Sequence, residues 1–589
     1  MKGYKSDSTV ATKDKDSLLL IVPEYYQGEQ GSYPVIWVSD NAFKDYPITE
    51  VRLPEKIMAI GKSAFAGTKL TSVTLPKNLF KLDDSVFANC TTLQAVTFNG
   101  SSISWLGTRV FAGTPYETTL TKENGFIYFN STKTILYSYE GTSAAILETP
   151  QTVMIIAGGA FKGNTSITML TLRSSVRLVC DGAFENCQMT QVTLGKNLTN
   201  IGANVFKNCT RLSRVVFENK DNITYLGEGM FQGCTALEEI DLSKLTKLQE
   251  IRANAFNGCT NLSKVVLAAE VEEDVEVEEI TSAIDVIGDY AFANCASLTE
   301  LVFPETLEEI GAHAFENTAL TAISLPTKLG TIGAYAFANC SGLTTLDIPF
   351  SVTEVGESAF ENCTNLFDVE FGRFGKVEES DDDPQEIISL LRNIGNRAFA
   401  NCTALKRIIF NSELYEDSPV VFGENVLLNA GNGETVIYVC AGAPAYSATS
   451  QWKNGNVMYS YVEIYKSTFT GTEYASVTVK AIERIAPVLT VASKNVTITT
   501  SNSLKTFDAL AYFQTENAYT VTDNVSNSNK CTVRVASVKV KNGAEETELV
   551  ATEGKYNISA VGVYLITLEA ADECGNITQT VVEVRVTNS

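Results

Sequence analysis

A phenylalanine recurs fourteen times in one fixed setting, which constrains the chain to fold as a stack of like units. The residues are Phe43, Phe65, Phe87, Phe111, Phe161, Phe184, Phe206, Phe231, Phe256, Phe292, Phe315, Phe337, Phe360 and Phe399. Five positions before each stands an aliphatic residue, from Val38 and Ile60 to Val355 and Ile394, and directly before each a small or hydrophobic one. Asn-Cys or Gly-Cys often follows. Most steps are 22 to 25 residues, with three longer ones. A fixed period of that length marks a solenoid, because one rung cannot close a core but a stack of rungs can.

Within a rung, Leu70, Val73 and Leu75 follow the spacing L-x-x-V-x-L, as do Leu298, Leu301 and Phe303, and Leu343, Leu346 and Ile348. Val73 and Leu75 alternate with Thr74, which predicts a short strand with one buried face. Pro76, Pro304, Pro326 and Pro349 end these strands, since proline cannot donate to a ladder. Successive rungs are expected to lay the strands side by side in parallel. The repeat Phe and the aliphatic residue before it belong to the returning half of the coil and stack inside.

Nine of the thirteen cysteines sit three residues after the repeat Phe: Cys90, Cys187, Cys209, Cys234, Cys259, Cys295, Cys340, Cys363 and Cys402. Thr68, Thr114 and Thr318 take that place elsewhere. A position that accepts Cys or Thr calls for a small residue, and free cysteine is among the most buried types. The expectation is a ladder of reduced, buried thiols. Neighbouring rungs about 5 Å apart would lie within disulfide range, but stacked side chains point the same way. With no C-x-x-C pair and no histidine nearby, a metal site is disfavoured.

The stretch Ile332-Gly333-Ala334-Tyr335-Ala336-Phe337-Ala338-Asn339-Cys340-Ser341-Gly342-Leu343-Thr344-Thr345-Leu346-Asp347-Ile348-Pro349 resembles the BspA-type leucine-rich repeat. The resemblance covers residues 15–465, with insertions near 115–150, 268–284 and 373–390, after a flexible segment 1–14. Gly125 to Asn130 with Thr134-Ile135-Leu136 looks like the hairpin that this family inserts between rungs. Val436 to Gly442, with Tyr446 and Trp452, looks like its closing unit, with Cys440 where the family usually has proline. Phe422 reads as an eroded last copy. The resemblance implies one right-handed curved solenoid, a surface or secreted interaction protein, and no catalytic residues.

Residues 466–484 read as a linker, and residues 485–589 as an all-β Ig-like sandwich. Short alternating strands recur there, among them Val488 to Val491, Cys531 to Val535, Tyr564 to Leu568 and Val581 to Val586, with turn residues between. Ala486-Pro487, Asp523-Asn524 and Ala571 to Asn576 resemble Ig-like modules of bacterial surface proteins, which usually act as spacers. Cys531 and Cys574 are either paired in a disulfide or buried singly.

The net charge of −24 argues against nucleic acid, which demands lysine and arginine. Much of the acidity lies in two insertions, residues 270–279 and 378–386. They read as solvated acidic loops; the alternative is calcium bound by clustered carboxylates, although the spacing is not that of an EF-hand. No other cofactor is expected. No apolar run approaches the ~18 residues of a membrane span. Met1-Lys2-Gly3-Tyr4 is not a signal peptide; either the protein stays inside the cell or its leader has been removed, and the family resemblance implies the second, with an extracellular or cell-surface location. A monomer is expected.

The single histidine, His313, occupies a variable rung position and reads as a surface residue. No nucleophile motif accompanies it, and G-x-x-x-x-G-K-[ST], H-E-x-x-H and G-x-S-x-G are all missing. A non-enzymatic protein is expected. Outward strand residues form the natural binding face. They are mostly Thr and Ser early, such as Thr71, Ser72 and Thr74. Phe367, Asp368, Glu370, Lys406 and Arg407 come late, placing an aromatic among charges of both signs. Aromatics and arginine are enriched at interface hot spots, so these five residues are the candidate contact for a protein partner. The functional expectation is adhesion or protein–protein interaction through the repeat face. The alternatives are a surface lipoprotein capturing glycan or peptide for an outer-membrane transporter, and a structural surface component.

Overall fold

The computed structural model describes residues 9–14, 17–28, 30–99, 103–142, 145–218, 222–267, 283–373, 390–410, 420–431, 435–440, 452–454, 457–459, 478–482, 488–491, 495–500, 519–522, 532–542, 545–549, 562–571 and 577–588. The chain divides into two compact units: residues 1–408 with 414–435 and 471–477, and residues 409–413 with 436–470 and 478–589.

In the first unit the repeat phenylalanines form one column of stacked rings. Successive centroids lie 5.4 Å apart at Phe43–Phe65, 5.3 Å at Phe184–Phe206 and 5.3 Å at Phe337–Phe360. All but the first are buried; Phe43 ends the column and is half-buried. Two of the long steps add no rung, for Phe256 stacks directly on Phe292 at 5.0 Å and Phe360 on Phe399 at 5.4 Å. The third adds a hairpin. Phe126–Tyr128 pairs antiparallel with Ile135–Tyr139, which runs parallel to Ile155–Ile156. There Phe129 stacks on Phe111, and the Tyr139 ring packs tilted against Phe161, so other aromatics cover the two rings that the hairpin separates.

The most continuous ladder is not the one expected from L-x-x-V-x-L. It is built from two-residue strands that contain the aliphatic residue before each Phe. Trp37, Ala59, Lys81 and Trp105 align on one face, and Val38, Ile60, Leu82 and Leu106 on the buried one. Later, eight such strands run unbroken from Tyr225–Leu226 to Val421–Phe422. The glycine after the aliphatic residue permits this stacking: a Cβ on Gly333 would lie 2.5 Å from the carbonyl carbon of Gly311 in the preceding rung. The longer strands form on the other face, as in Ser72–Leu75 parallel to Ala95–Phe98. They are not present in every rung as expected. Residues 299–304 and 320–326 have no strand, although Leu301, Phe303 and Leu325 are buried as the spacing requires. Apolar spacing sets burial, whereas a strand also needs regular backbone hydrogen bonding along its length.

Phe422 is not an eroded copy of the repeat Phe. Its strand pairs Asn393↔Val421 and Ile394↔Phe422, so Phe422 stands in the aliphatic position. Five residues on, buried Leu427 takes the Phe position. The segment 1–14, expected to be flexible, contains a strand: Thr9–Asp14 pairs antiparallel with Ser17–Ile21, which runs parallel to Glu50–Arg52.

The nine ladder cysteines are free and fully buried. Each thiol donates to the carbonyl of the preceding column residue, as in Cys90 to Phe65 O at 3.0 Å, Cys259 to Phe231 O at 3.1 Å and Cys402 to Phe360 O at 3.2 Å. The position therefore selects a small donor, not merely a small residue. Thr68 and Thr318 donate to their own rung's Phe carbonyl and meet the next thiol at 3.1 Å. Burial pushes the thiols of Cys259 and Cys402 up to about 12, which keeps them protonated donors. The residue before each cysteine often has left-handed backbone, with φ of 62° at Asn339 and 72° at Gly233, which only asparagine and glycine adopt routinely. From Asn294 to Asn429 the side-chain amides join rung to rung, for example Asn339 Nδ2 to Asn317 Oδ1 at 2.9 Å.

In the second unit, Val436–Cys440 runs parallel to Val479's strand Thr478–Ile482, and Trp452–Asn454 pairs antiparallel with Val457–Tyr459. A five-stranded sheet places Gly562–Ala571 between Thr532–Asn542 and Ile577–Asn588, both antiparallel to it. Glu545–Glu548 extends one side, and Asn495–Thr500 joins Ile577–Asn588 in parallel on the other. Alternate residues Tyr564, Ile566, Leu568 and Val582, Val584, Val586 are buried on one face. Cys531 and Cys574 lie outside the described residues.

Candidate functional site

Thr345–Pro349 runs parallel to Asp368–Arg373 with Thr345↔Asp368, Leu346↔Val369, Asp347↔Glu370 and Ile348↔Phe371 in register. Leu346, Ile348, Val369 and Phe371 are buried, so strand alternation turns Thr345, Asp347, Asp368 and Glu370 outward. Phe367 precedes its strand. Its N–H donates to Thr344 O at 2.9 Å, and its carbonyl accepts from Lys406 N at 2.8 Å and Arg407 N at 3.2 Å. Phe367 is 42% exposed. Arg407 Nη2 pairs with Asp368 Oδ2 across the rung boundary. Asp368 Oδ1 is buried without a hydrogen-bond partner among the described residues.

The five residues singled out in the sequence are thus brought onto two neighbouring rungs of one face. Asp368 and Arg407 are already engaged with each other, and Glu370 lies one step along the strand. The acidic insertions, with the calcium alternative, lie outside the described residues. Among those described, no group of three or more His, Cys, Asp or Glu side chains could hold a metal ion.

His313 is not a plain surface residue. Its ring is sandwiched between Tyr290 at 4.4 Å and Tyr335 at 4.7 Å, nearly parallel to both, and Nδ1 lies 2.8 Å from Glu316 Oε2. Three successive rungs carry flat rings at this position, a periodicity visible in the sequence once the column is aligned. A nearby pair ties the late rungs: Arg397 bonds Glu361, and this contact holds the Glu361 carboxyl below its ordinary range.

The sequence reading missed a second exposed group, on the face of the two-residue strands. Ile36, Trp37, Met58 and Phe80 are all exposed there. The available signal was a change of character at fixed repeat positions. Residues seven and six before the column Phe are Ile36-Trp37, Met58-Ala59 and Phe80-Lys81 early, but Gln249-Glu250, Glu308-Glu309 and Thr353-Glu354 later.

The family model for the BspA type leucine rich repeat region (6 copies) matches residues 33–139, 132–263, 272–380 and 385–487. The chain belongs to the BspA-type leucine-rich repeat family. No curated protein matches it. Among solved structures, this BspA-type chain is similar to a leucine-rich repeat protein from Bacteroides ovatus, at 19% identity and TM-score 0.37, covering 82% of this chain and 100% of that one. It is also similar to the pneumococcal vaccine antigen PcpA, at 16% identity and TM-score 0.29, covering 80% and 96%. A third is a leucine rich cell surface protein from Faecalibacterium prausnitzii, at 20% identity and TM-score 0.24, covering 63% and 94%. Among the described residues no helix is long and apolar enough to cross a membrane.

Proposed function

We propose that this BspA-type chain is a non-enzymatic protein-interaction module of the cell surface or extracellular space, whose solenoid contacts its partner through the longer-strand face of the late rungs. The observation that carries the reading is the grouping of exposed Phe367 with the Asp368–Arg407 pair on a regular parallel sheet. An aromatic anchor beside a charged pair is the composition of an interface hot spot. With a net charge of −24, the chain attracts basic partners at long range.

The second unit is read as an Ig-like sandwich serving as a spacer. Two consecutive strands, Val488–Val491 and Asn495–Thr500, join different sheets, the first pairing with Tyr519–Thr522 and the second with Ile577–Asn588. A chain that crosses between sheets after three residues supports a two-layer β domain.

The test is binding of the immobilised protein to purified basic extracellular-matrix proteins. For any partner found, the double variant Phe367→Ala, Arg407→Glu is expected to lose about tenfold or more in affinity with unchanged melting. Full affinity in the folded variant would remove the late rungs as the contact.

A further inference from the structure

The unbroken sheet of eight two-residue strands turns one row of side chains inward and one outward. Ile287, Ile310, Ile332 and Val355 are buried, so Val286, Glu309, Thr331 and Glu354 face outward in register. The row before them holds Asp285, Glu308, Gly330 and Thr353. It is tied by Glu308 N to Asp285 O, Gly330 N to Glu308 O and Thr353 N to Gly330 O, each at 2.8 Å. Rungs lie about 5 Å apart, so Asp285, Glu308, Glu309 and Glu354 share one face. Gly330 and Thr331 leave a low floor between Glu309 and Glu354.

This part of the solenoid lacks neutralising charge. Residues 283–357 carry ten acidic side chains and one lysine, Lys328, besides His313. Glu250 is engaged by Arg252 and Glu316 by His313. Among the described residues, Asp285, Asp289, Glu308, Glu309, Glu354 and Glu357 are in no ion pair. Asp289 Oδ1 accepts from Ala312 N at 2.8 Å and Glu354 Oε1 from Asn393 Nδ2 at 3.3 Å, and neither bond brings a cation.

Three residues after these strands come the stacked rings of Tyr290, His313 and Tyr335, which border the acidic face. Tyr290 is exposed. Each of the three has a φ of 57°, where other rungs have mostly asparagine, serine or glycine. Bulky rings thus stand at a backbone position that does not favour them. Rings beside carboxylates suit lysine and arginine, and Arg252 already lies 3.6 Å over the Tyr225 ring of the same sheet.

Charge selects the occupant. We infer that the outward face of this sheet from Asp285 to Glu357, with its Tyr290–His313–Tyr335 border, binds a lysine- or arginine-rich segment of a protein partner. The cationic heads meet Glu308, Glu309 and Glu354, while their aliphatic stems lie against the rings. This rests on the reading of the chain as a protein-binding module, but it uses a different strand face from Phe367.

The experiment is a calorimetric titration of the full chain with a synthetic peptide alternating lysine with serine. In the control peptide glutamate replaces lysine. The lysine peptide is expected to bind, more weakly as salt is raised, and the glutamate peptide is expected not to bind. Glu308→Lys with Glu309→Lys, checked for unchanged melting, is expected to lose about tenfold or more in affinity. Glu239→Lys with Glu300→Lys makes the same change of net charge at exposed residues on the longer-strand side. It is expected to alter affinity by less than about twofold. Tyr290→Asn installs the residue that Asn254 provides at this position one rung earlier, and is expected to weaken binding about threefold. Phe367→Ala with Arg407→Glu is expected to leave this binding unchanged, so failure of the late-rung reading would show separately. The inference is overturned if the lysine peptide does not bind, or if the two charge-reversed pairs lose affinity alike. It is also overturned if the Tyr290 variant binds as well as the parent, or if calcium at equal ionic strength displaces the peptide.

Discussion

Phe337 has ring neighbours at 5.2 Å and 5.3 Å and no exposure, so truncation opens a cavity that flanking rungs cannot close. Phe337→Ala is expected to cost about 3–5 kcal/mol in chemical denaturation. His313→Ala removes two stacked faces at the surface and is expected to cost about 1–2 kcal/mol, more than an unpartnered surface residue would. A larger loss for His313 than for Phe337 would mean the register of the column is wrong. At the cysteine positions, burial and the Phe carbonyl that accepts from each thiol make the thiols unreactive. Thiol counting with a small maleimide should label none of the ten described cysteines in the native protein and all of them after unfolding. The alternation of Cys with Thr made smallness legible in the sequence. The donor role was not, because the accepting carbonyl belongs to a different rung, 25 residues or more away.

Each rung is tied to the next by hydrogen bonds along two strand faces, the asparagine amides and a few ion pairs. The pair Arg397–Glu361 joins neighbouring rungs across the long step from Phe360 to Phe399. The Glu361 carboxyl is held below its ordinary value of 4.5, first by the Arg397 hydrogen bond. A lowered folded value means that the stabilisation is fully present above the unfolded value and lost as pH falls through the folded one. The denaturation difference between the parent and Arg397→Gln is therefore expected to be largest near neutral pH and to vanish well below 4.5. A difference that grows in acid would contradict the assignment. Element placement was partly legible. L-x-x-V-x-L located buried residues in every rung quoted for it, but not which rungs keep a regular strand. The two-residue strands were invisible because two residues carry no period, and only stacking reveals them.

A solenoid's stability is a sum over neighbouring rungs, and a net charge of −24 opposes it through self-repulsion. The described ion pairs are mostly well exposed, such as Lys122–Glu140 and Arg52–Glu50, and contribute little. Added salt should therefore screen repulsion more than attraction and raise the melting midpoint. A fall in that midpoint would show that local pairs outweigh the net charge. By itself the sequence determined the solenoid, the phenylalanine column, the buried thiols and the lack of a catalytic motif, since all of these repeat with the rung and periodicity is a local property. The outward position of Asp368 and Glu370 was legible for the same reason, as strand alternation fixes it, whereas Phe367 precedes the strand and alternation does not place it. Only the tertiary structure decided that Leu427 rather than Phe422 closes the column. The same holds for the two long insertions that add no rung, the Arg407–Asp368 pairing, and the single strip formed by Ile36, Met58 and Phe80. Those facts depend on which rung lies against which, and residues 22 or more apart become neighbours only when the coil is wound.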